Sequence, residues 1–164
     1  MRHISWYLLV SLFVCSSPGL TEESVKGRPD LSDLAAADWT KNLKTGPNGP
    51  IPAIVVDQFG YPAKSRKVAV IRDPQVGYDS FAKFAPGTNY ALIQLPTGKV
   101  IKSAAPSVWS DGTTDKASGD RAWWFDFSDI EAPGRYAVVD IEKGVRSPSF
   151  AIGEHVYKDV MKHA

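Results

Sequence analysis

A chain of 164 residues suits one domain with extensions, and its 43% hydrophobic content excludes a disordered polymer. Nineteen basic against 18 acidic side chains leave a net charge of +1, so no charged field points to nucleic acid or an anionic surface. The single cysteine, Cys15, excludes an intrachain disulfide.

In chain order, the first element is a targeting segment. Arg2 and His3 make a short basic start, ISWYLLVSLFVC (4–15) is an apolar run too short to cross a bilayer, and the small residues Ser16, Ser17 and Gly19 follow. The pattern predicts a signal peptide over 1–19, cleaved after Gly19, and an exported protein, secreted or periplasmic, with no membrane span. Cys15 opens a second fate as a lipid anchor, although Val14 stands where a bacterial lipidation motif prefers Gly, Ala or Ser. Residues 20–52 are polar and rich in Gly and Pro, and read as a linker or N-terminal extension, disordered or carrying one short helix. Leu31, Leu34 and Ala35 supply the helical spacing there, and Gly46 ends it. Trp39 reads as an aromatic tucked against the domain that follows, and GPNGP (46–50) as a turn or linker.

The texture changes at residue 53. Strands are predicted at Ala53–Asp57, Lys67–Arg72, Tyr90–Leu95, Lys99–Ala104, Ala122–Phe127, Arg135–Ile141 and Ser149–Ile152. Pro96-Thr97-Gly98 turns a hairpin, and Trp109–Asp120 is a polar loop. About seven short strands with turn signals throughout predict an all-β, immunoglobulin-like β-sandwich over 53–153. Alternation along RAWWFDF puts Trp123, Phe125 and Phe127 on the core side and Ala122, Trp124 and Asp126 on the outer side. Tyr136, after Pro133-Gly134, is placed for a corner in which its hydroxyl bonds back to the backbone. The last stretch, GEHVYKDVMKHA (153–164), begins a helix with Val156 and Val160 or Met161 on one face.

The chemical motifs are few. His155 and His163 stand eight apart with no Cys or HisXXXHis pattern, so no metal and no cofactor is expected; DGTTDKASGD (111–120) lacks the spaced acids of an EF-hand and reads as a solvated loop. Neither a GlyXSerXGly elbow nor a phosphate-binding loop occurs. Asp126, Asp129, Glu131 and Asp140 are the carboxylates to consider for glycoside hydrolysis, but they read as exposed edge residues. The aromatic signal is stronger: Trp124 and Trp109 could form a sugar-stacking platform or anchor a protein interface, and composition alone does not choose.

Three blocks carry a resemblance. IVVDQFGYPAKSRKVAVIRDP (54–74), SGDRAWWFDFSDIEAPGRYAV (118–138) and SPSFAIGEHVYKDVMKHA (147–164) resemble the N-terminal immunoglobulin-like domain of family nine glycoside hydrolases of the cellulase type. The resemblance implies a non-catalytic accessory domain that stabilises an α/α-barrel catalytic domain, with residues 154–164 starting that barrel's first helix and the rest of the barrel lying beyond this chain. It implies that the catalytic aspartate pair and glutamate lie in the barrel, and that polysaccharide, a β-1,4-glucan, meets the intact enzyme. No AspAlaGlyAsp occurs here, so no catalytic residue carries over. It further implies an intramolecular interface through Trp124, Asp126, Val156, Tyr157 and Val160. Two other readings stay open: a carbohydrate-binding module that uses Trp124 and Trp109, and a cell-surface adhesion sandwich.

Overall fold

The computed structural model describes residues 30–162. The expected signal peptide, Cys15 and His163 lie outside the described residues.

Among the described residues the chain forms α1 (Ser32–Ala36), β1 (Thr45–Gly46), β2 (Gly49–Pro50), β3 (Ile54–Val55), β4 (Val68–Pro74), β5 (Tyr90–Gln94), β6 (Lys99–Ala104), β7 (Ser107–Val108), β8 (Asp120–Asp126), β9 (Gly134–Asp140), β10 (Val145–Arg146), β11 (Phe150–Ile152) and α2 (Lys158–Met161). Two sheets make the sandwich. One has the antiparallel order β3-β4-β8-β7, the other β10-β9-β5-β6 with β11 also paired to β9. The seven expected strands are all present. The four unexpected ones, β1, β2, β7 and β10, are two residues long, too short to show a period of two.

The core between the sheets follows from alternation. Ala69, Ile71, Phe125 and Phe127 of the four-stranded side meet Tyr90, Leu92, Tyr136, Val138 and Phe150 of the other, with Trp123 partly buried against them. Phe127 packs on Tyr61 and Phe150 at centroid distances of 5.3 and 5.4 Å. The expected corner is present: the Tyr136 hydroxyl donates to the Ala132 carbonyl at 2.9 Å. Tyr61 joins the sheets at one edge, its N–H donating to Ala151 O at 2.8 Å.

Strands β5 and β9 are apolar on both faces, so a second layer is required. Ala91, Ile93, Val100, Ala137 and Val139 face away from the main core and are covered by Leu31 and Ala35 of the α1 segment. Arg146 reaches over from β10 and donates to Ala35 O at 3.1 Å, satisfying a carbonyl at the helix end. The β5–β6 turn lets α1 sit close: a Cβ on Gly98 (φ +73°) would stand 2.6 Å from Ser32 N. The stretch read as a linker therefore packs, from Leu31 onward, as a lid on the five-stranded sheet. GPNGP turns the small β1–β2 hairpin.

Asp140 corrects an expectation. Instead of an exposed edge it has 0% exposure. One of its oxygens accepts from Gly87 N (2.8 Å) and the Tyr90 hydroxyl (2.7 Å), the other from Glu142 N and Lys143 N (3.1 and 3.0 Å). Four donors compensate for the lost solvation of one buried carboxylate. Gly87 is needed for this approach, because a Cβ there would lie 2.5 Å from Asp140 Oδ1.

Candidate functional site

The outer face of the four-stranded sheet differs from its opposite number. Strand register aligns Val55, Val70, Trp124 and Ser107 in one row across β3, β4, β8 and β7. Val68 and Asp126 pair in the neighbouring row. Because β4 reads VAVIRD, its apolar residues serve both faces: Ala69 and Ile71 are buried inside, Val68 and Val70 stay half-buried outside. Val55 remains 39% exposed. Among the described residues this face carries no helical lid.

Arg66 lies over this patch. Its guanidinium carbon sits 5.0 Å from the centroid of the Trp124 ring, a cation–π arrangement. Arg66, Val68, Val70 and Trp124 line one shallow depression of about 260 Å³. Asp126 is exposed beside it and accepts from Ser128 N at 2.8 Å. Partial burial works to raise its carboxyl, but the Ser128 hydrogen bonds and the charges of Arg66 and Lys102 outweigh that and hold it below the ordinary carboxylate value. Next to it Lys102 and Asp129 pair at 2.5 Å.

A second cluster lies at one end of the sandwich. The Tyr157 hydroxyl donates to Asp57 Oδ2 at 3.0 Å, and its ring meets Phe59 edge-on with centroids 6.4 Å apart. Asp57 is held from the sandwich side: its N–H donates to the Tyr61 hydroxyl oxygen (3.0 Å), which in turn donates to Val68 O (2.9 Å), and its Oδ1 accepts from Phe59 N (2.8 Å). Desolvation first, and the Asp57 carboxylate next, push the Tyr157 hydroxyl above the ordinary phenol value. The segment leading into α2 is thereby fastened to the loop after β3.

The expected residues fall as follows. Trp124 and Asp126 share the outer face, as alternation places them. Trp109 is half-buried just beyond β7, its N–H donating to Ala122 O at 3.0 Å, and by alternation it takes the same side as Trp124. Tyr157 is at the Asp57 contact, Val156 is half-buried beside it in sequence, and Val160 lies on α2. Met161, the alternative to Val160 on the apolar face of this helix, is 75% exposed. Sequence reading missed Arg66, Val55, Val68 and Val70 on the face, and Asp57 and Phe59 at the end cluster. The two-sided apolar pattern of KVAVIRD was the available signal; no local pattern announces Arg66.

The other acidic groups have structural partners. Arg72 donates through Nε and Nη2 to both oxygens of Asp120 (3.0 and 2.8 Å) and through Nη2 to Asp79 (2.6 Å). Burial works to lower the Arg72 guanidinium, and the two carboxylates more than offset it, so its value is raised. Asp115 in the polar loop accepts from Ala117 N and Ser118 N. Among the described residues no group of three or more His, Cys, Asp or Glu side chains converges as a metal site would require, and no helix is long and apolar enough to cross a membrane.

Comparison with known proteins bears on the family and the fold. The family model described as the cellulase N-terminal ig-like domain matches residues 50–143. A metagenome-derived glycoside hydrolase family 9 endoglucanase is similar over 66% of this chain at 32% identity with a TM-score of 0.52, across 19% of its own length. A Bacteroides ovatus GH9 protein shares the fold over 67% of this chain at 18% identity and a TM-score of 0.50, across 17% of its own length. This chain thus spans about a fifth of the length of those proteins. No curated protein aligns significantly with the sequence.

Proposed function

The chain belongs to the cellulase N-terminal immunoglobulin-like domain family, and from that premise we propose that it braces the catalytic domain of an exported β-1,4-glucan hydrolase. The observation that carries this reading is the apolar face of Val55, Val68, Val70 and Trp124, without a lid among the described residues, in a fold that covers its other outer face with its own helix. An apolar sheet face rimmed by charge is what a domain interface requires, and Trp and Arg are the residues most enriched as interface anchors. A domain that binds only the folded form of its partner stabilises that partner through mass action.

The chain's own carboxylates support an accessory role. Asp79 and Asp120 neutralise Arg72, and Asp140 organises a buried turn. Hydrolysis of the glucan is assigned to the catalytic domain. Export is part of the same proposal and rests on the basic-apolar-small order of residues 2–19.

The test uses the full-length enzyme. Trp124→Ala should lower the melting temperature of the catalytic domain and speed its heat inactivation, while the variant module alone still folds and stays in the supernatant over insoluble cellulose. Unchanged catalytic-domain stability, together with cellulose binding by the module that is lost in Trp124→Ala, would favour the sugar-platform reading instead.

A further inference from the structure

We propose that the Arg66–Trp124 cation–π pair is the anchor of this face, and that its occupant is a carboxylate set among apolar residues on the catalytic domain of the same enzyme. The inference rests on the bracing role above and adds the chemistry of the partner surface.

Arg66 is exposed, and its guanidinium carbon lies over Trp124 at 5.0 Å from the ring centroid. Among the described residues it enters none of the ion pairs, which join Arg72 to Asp79 and Asp120, and Lys102 to Asp129. Asp126 feels its charge but is not within ion-pair distance; its Oδ1 takes Ser128 N–H instead. A guanidinium held over an indole by cation–π attraction keeps N–H groups for a further partner, and its planar fork is suited to receive a carboxylate through two parallel hydrogen bonds. Val68 and Val70 line the same depression, so closure by an apolar partner would dry the site and strengthen the pair.

Continuity identifies the occupant. Val55 of this face lies two residues before Asp57, and Asp57 holds Tyr157 of the segment leading into α2. The face and the fastened segment therefore border one another, and in the relatives described above most of the chain lies outside the part matched here. A free glucan is the weaker fit, because Arg66 already covers a face of the Trp124 ring on which a sugar would stack.

The experiment compares Arg66→Lys, Arg66→Met, Arg66→Glu and Trp124→Ala in the full-length enzyme, with the isolated chain as a folding control. Heat inactivation of glucanase activity should accelerate by roughly threefold for Arg66→Met and about tenfold for Arg66→Glu, with Arg66→Lys between wild type and Met. The gap between wild type and Arg66→Glu should narrow in high salt. Melting of the isolated chain should stay the same in the Arg66 variants. If Arg66→Met and Arg66→Glu match wild type while Trp124→Ala destabilises, the carboxylate anchor is wrong and the bracing role stands. If Trp124→Ala is inert as well, the bracing role fails with it. If cellohexaose changes Trp124 fluorescence in the isolated chain and Arg66→Met abolishes the change, the occupant is a sugar and the proposal is overturned.

Discussion

The sandwich has two outer faces, and they are finished in different ways. On the five-stranded sheet Ala91, Ile93, Ala137 and Val139 lie under Leu31 and Ala35, with Arg146 bonding the end of the covering helix. On the four-stranded sheet Val55, Val68, Val70 and Trp124 stand without a helical cover among the described residues, and Arg66 lies over Trp124. Both faces are apolar, yet the described residues supply a lid for one of them. On the lidded side Ala91 and Ala137 stand among Ile93, Val100 and Val139, whereas the other side presents Trp124 among its valines with charged Arg66 and Asp126 beside it. The lidded face serves folding of the module itself; the other is suited to a contact made after folding.

The largest expected effect tests that division. Ile93→Asp places a charge beneath the lid, where nothing pairs it, and should destabilise the isolated chain by about 4 kcal/mol or more. Val70→Asp, a similar change on the other side, should cost less than about 1 kcal/mol in the isolated chain. Urea unfolding of both variants reads the contrast, and equal losses would erase the distinction between the faces. Next in size, Leu31→Ala removes the main lid contact and should cost about 2–3 kcal/mol. It should also expose β5 amides to hydrogen exchange; unchanged exchange would mean that the helix adds no cover.

Tyr157→Phe keeps the edge contact with Phe59 and deletes the hydrogen bond to Asp57. It should change the stability of the isolated chain by about 1 kcal/mol at most, while amide exchange around 157–161 quickens. Exchange as slow as wild type would show that the Asp57 bond does not fasten this segment. The smallest effect is electrostatic. Asp126 and Asp129, at the margin of the lidless face, have carboxyls held below their ordinary values, Asp129 first by its Lys102 hydrogen bond. Groups lowered in the folded state contribute stability above their unfolded value, near about 4, and lose it as pH falls through the lowered value. Asp129→Asn should therefore flatten a slight loss of stability on acidification below about pH 4. An unchanged pH profile would show that the Lys102 pair contributes nothing.

Much of this architecture is legible in the sequence. The alternation of RAWWFDF separates Trp123 from Trp124, and the register agrees: Trp123 faces Ile71, Trp124 faces Val70. The Tyr136 corner follows from its position after Pro133-Gly134. The helix at 32–36 is readable from Leu31, Leu34 and Ala35, but its destination is not, because local spacing says that a face must be buried and not against what. Two-residue strands such as β7 and β10 are set by their neighbours' hydrogen bonds and leave no period. Asp140 looked exposed because acids at strand ends usually are; its burial depends on donors from Gly87 and Tyr90, about fifty residues away along the chain. Arg66 was missed for the same reason, since its place over Trp124 is a tertiary fact.

The most direct measurement is covalent footprinting of the same residues in two molecules. Carbene or hydroxyl-radical labelling should mark Trp124, Val70 and Val55 in the isolated chain and leave them protected in the proposed full-length enzyme, with Tyr78 labelled equally in both as an exposed control. Equal labelling of Trp124 and Val70 in both molecules would contradict a docking role for the lidless face.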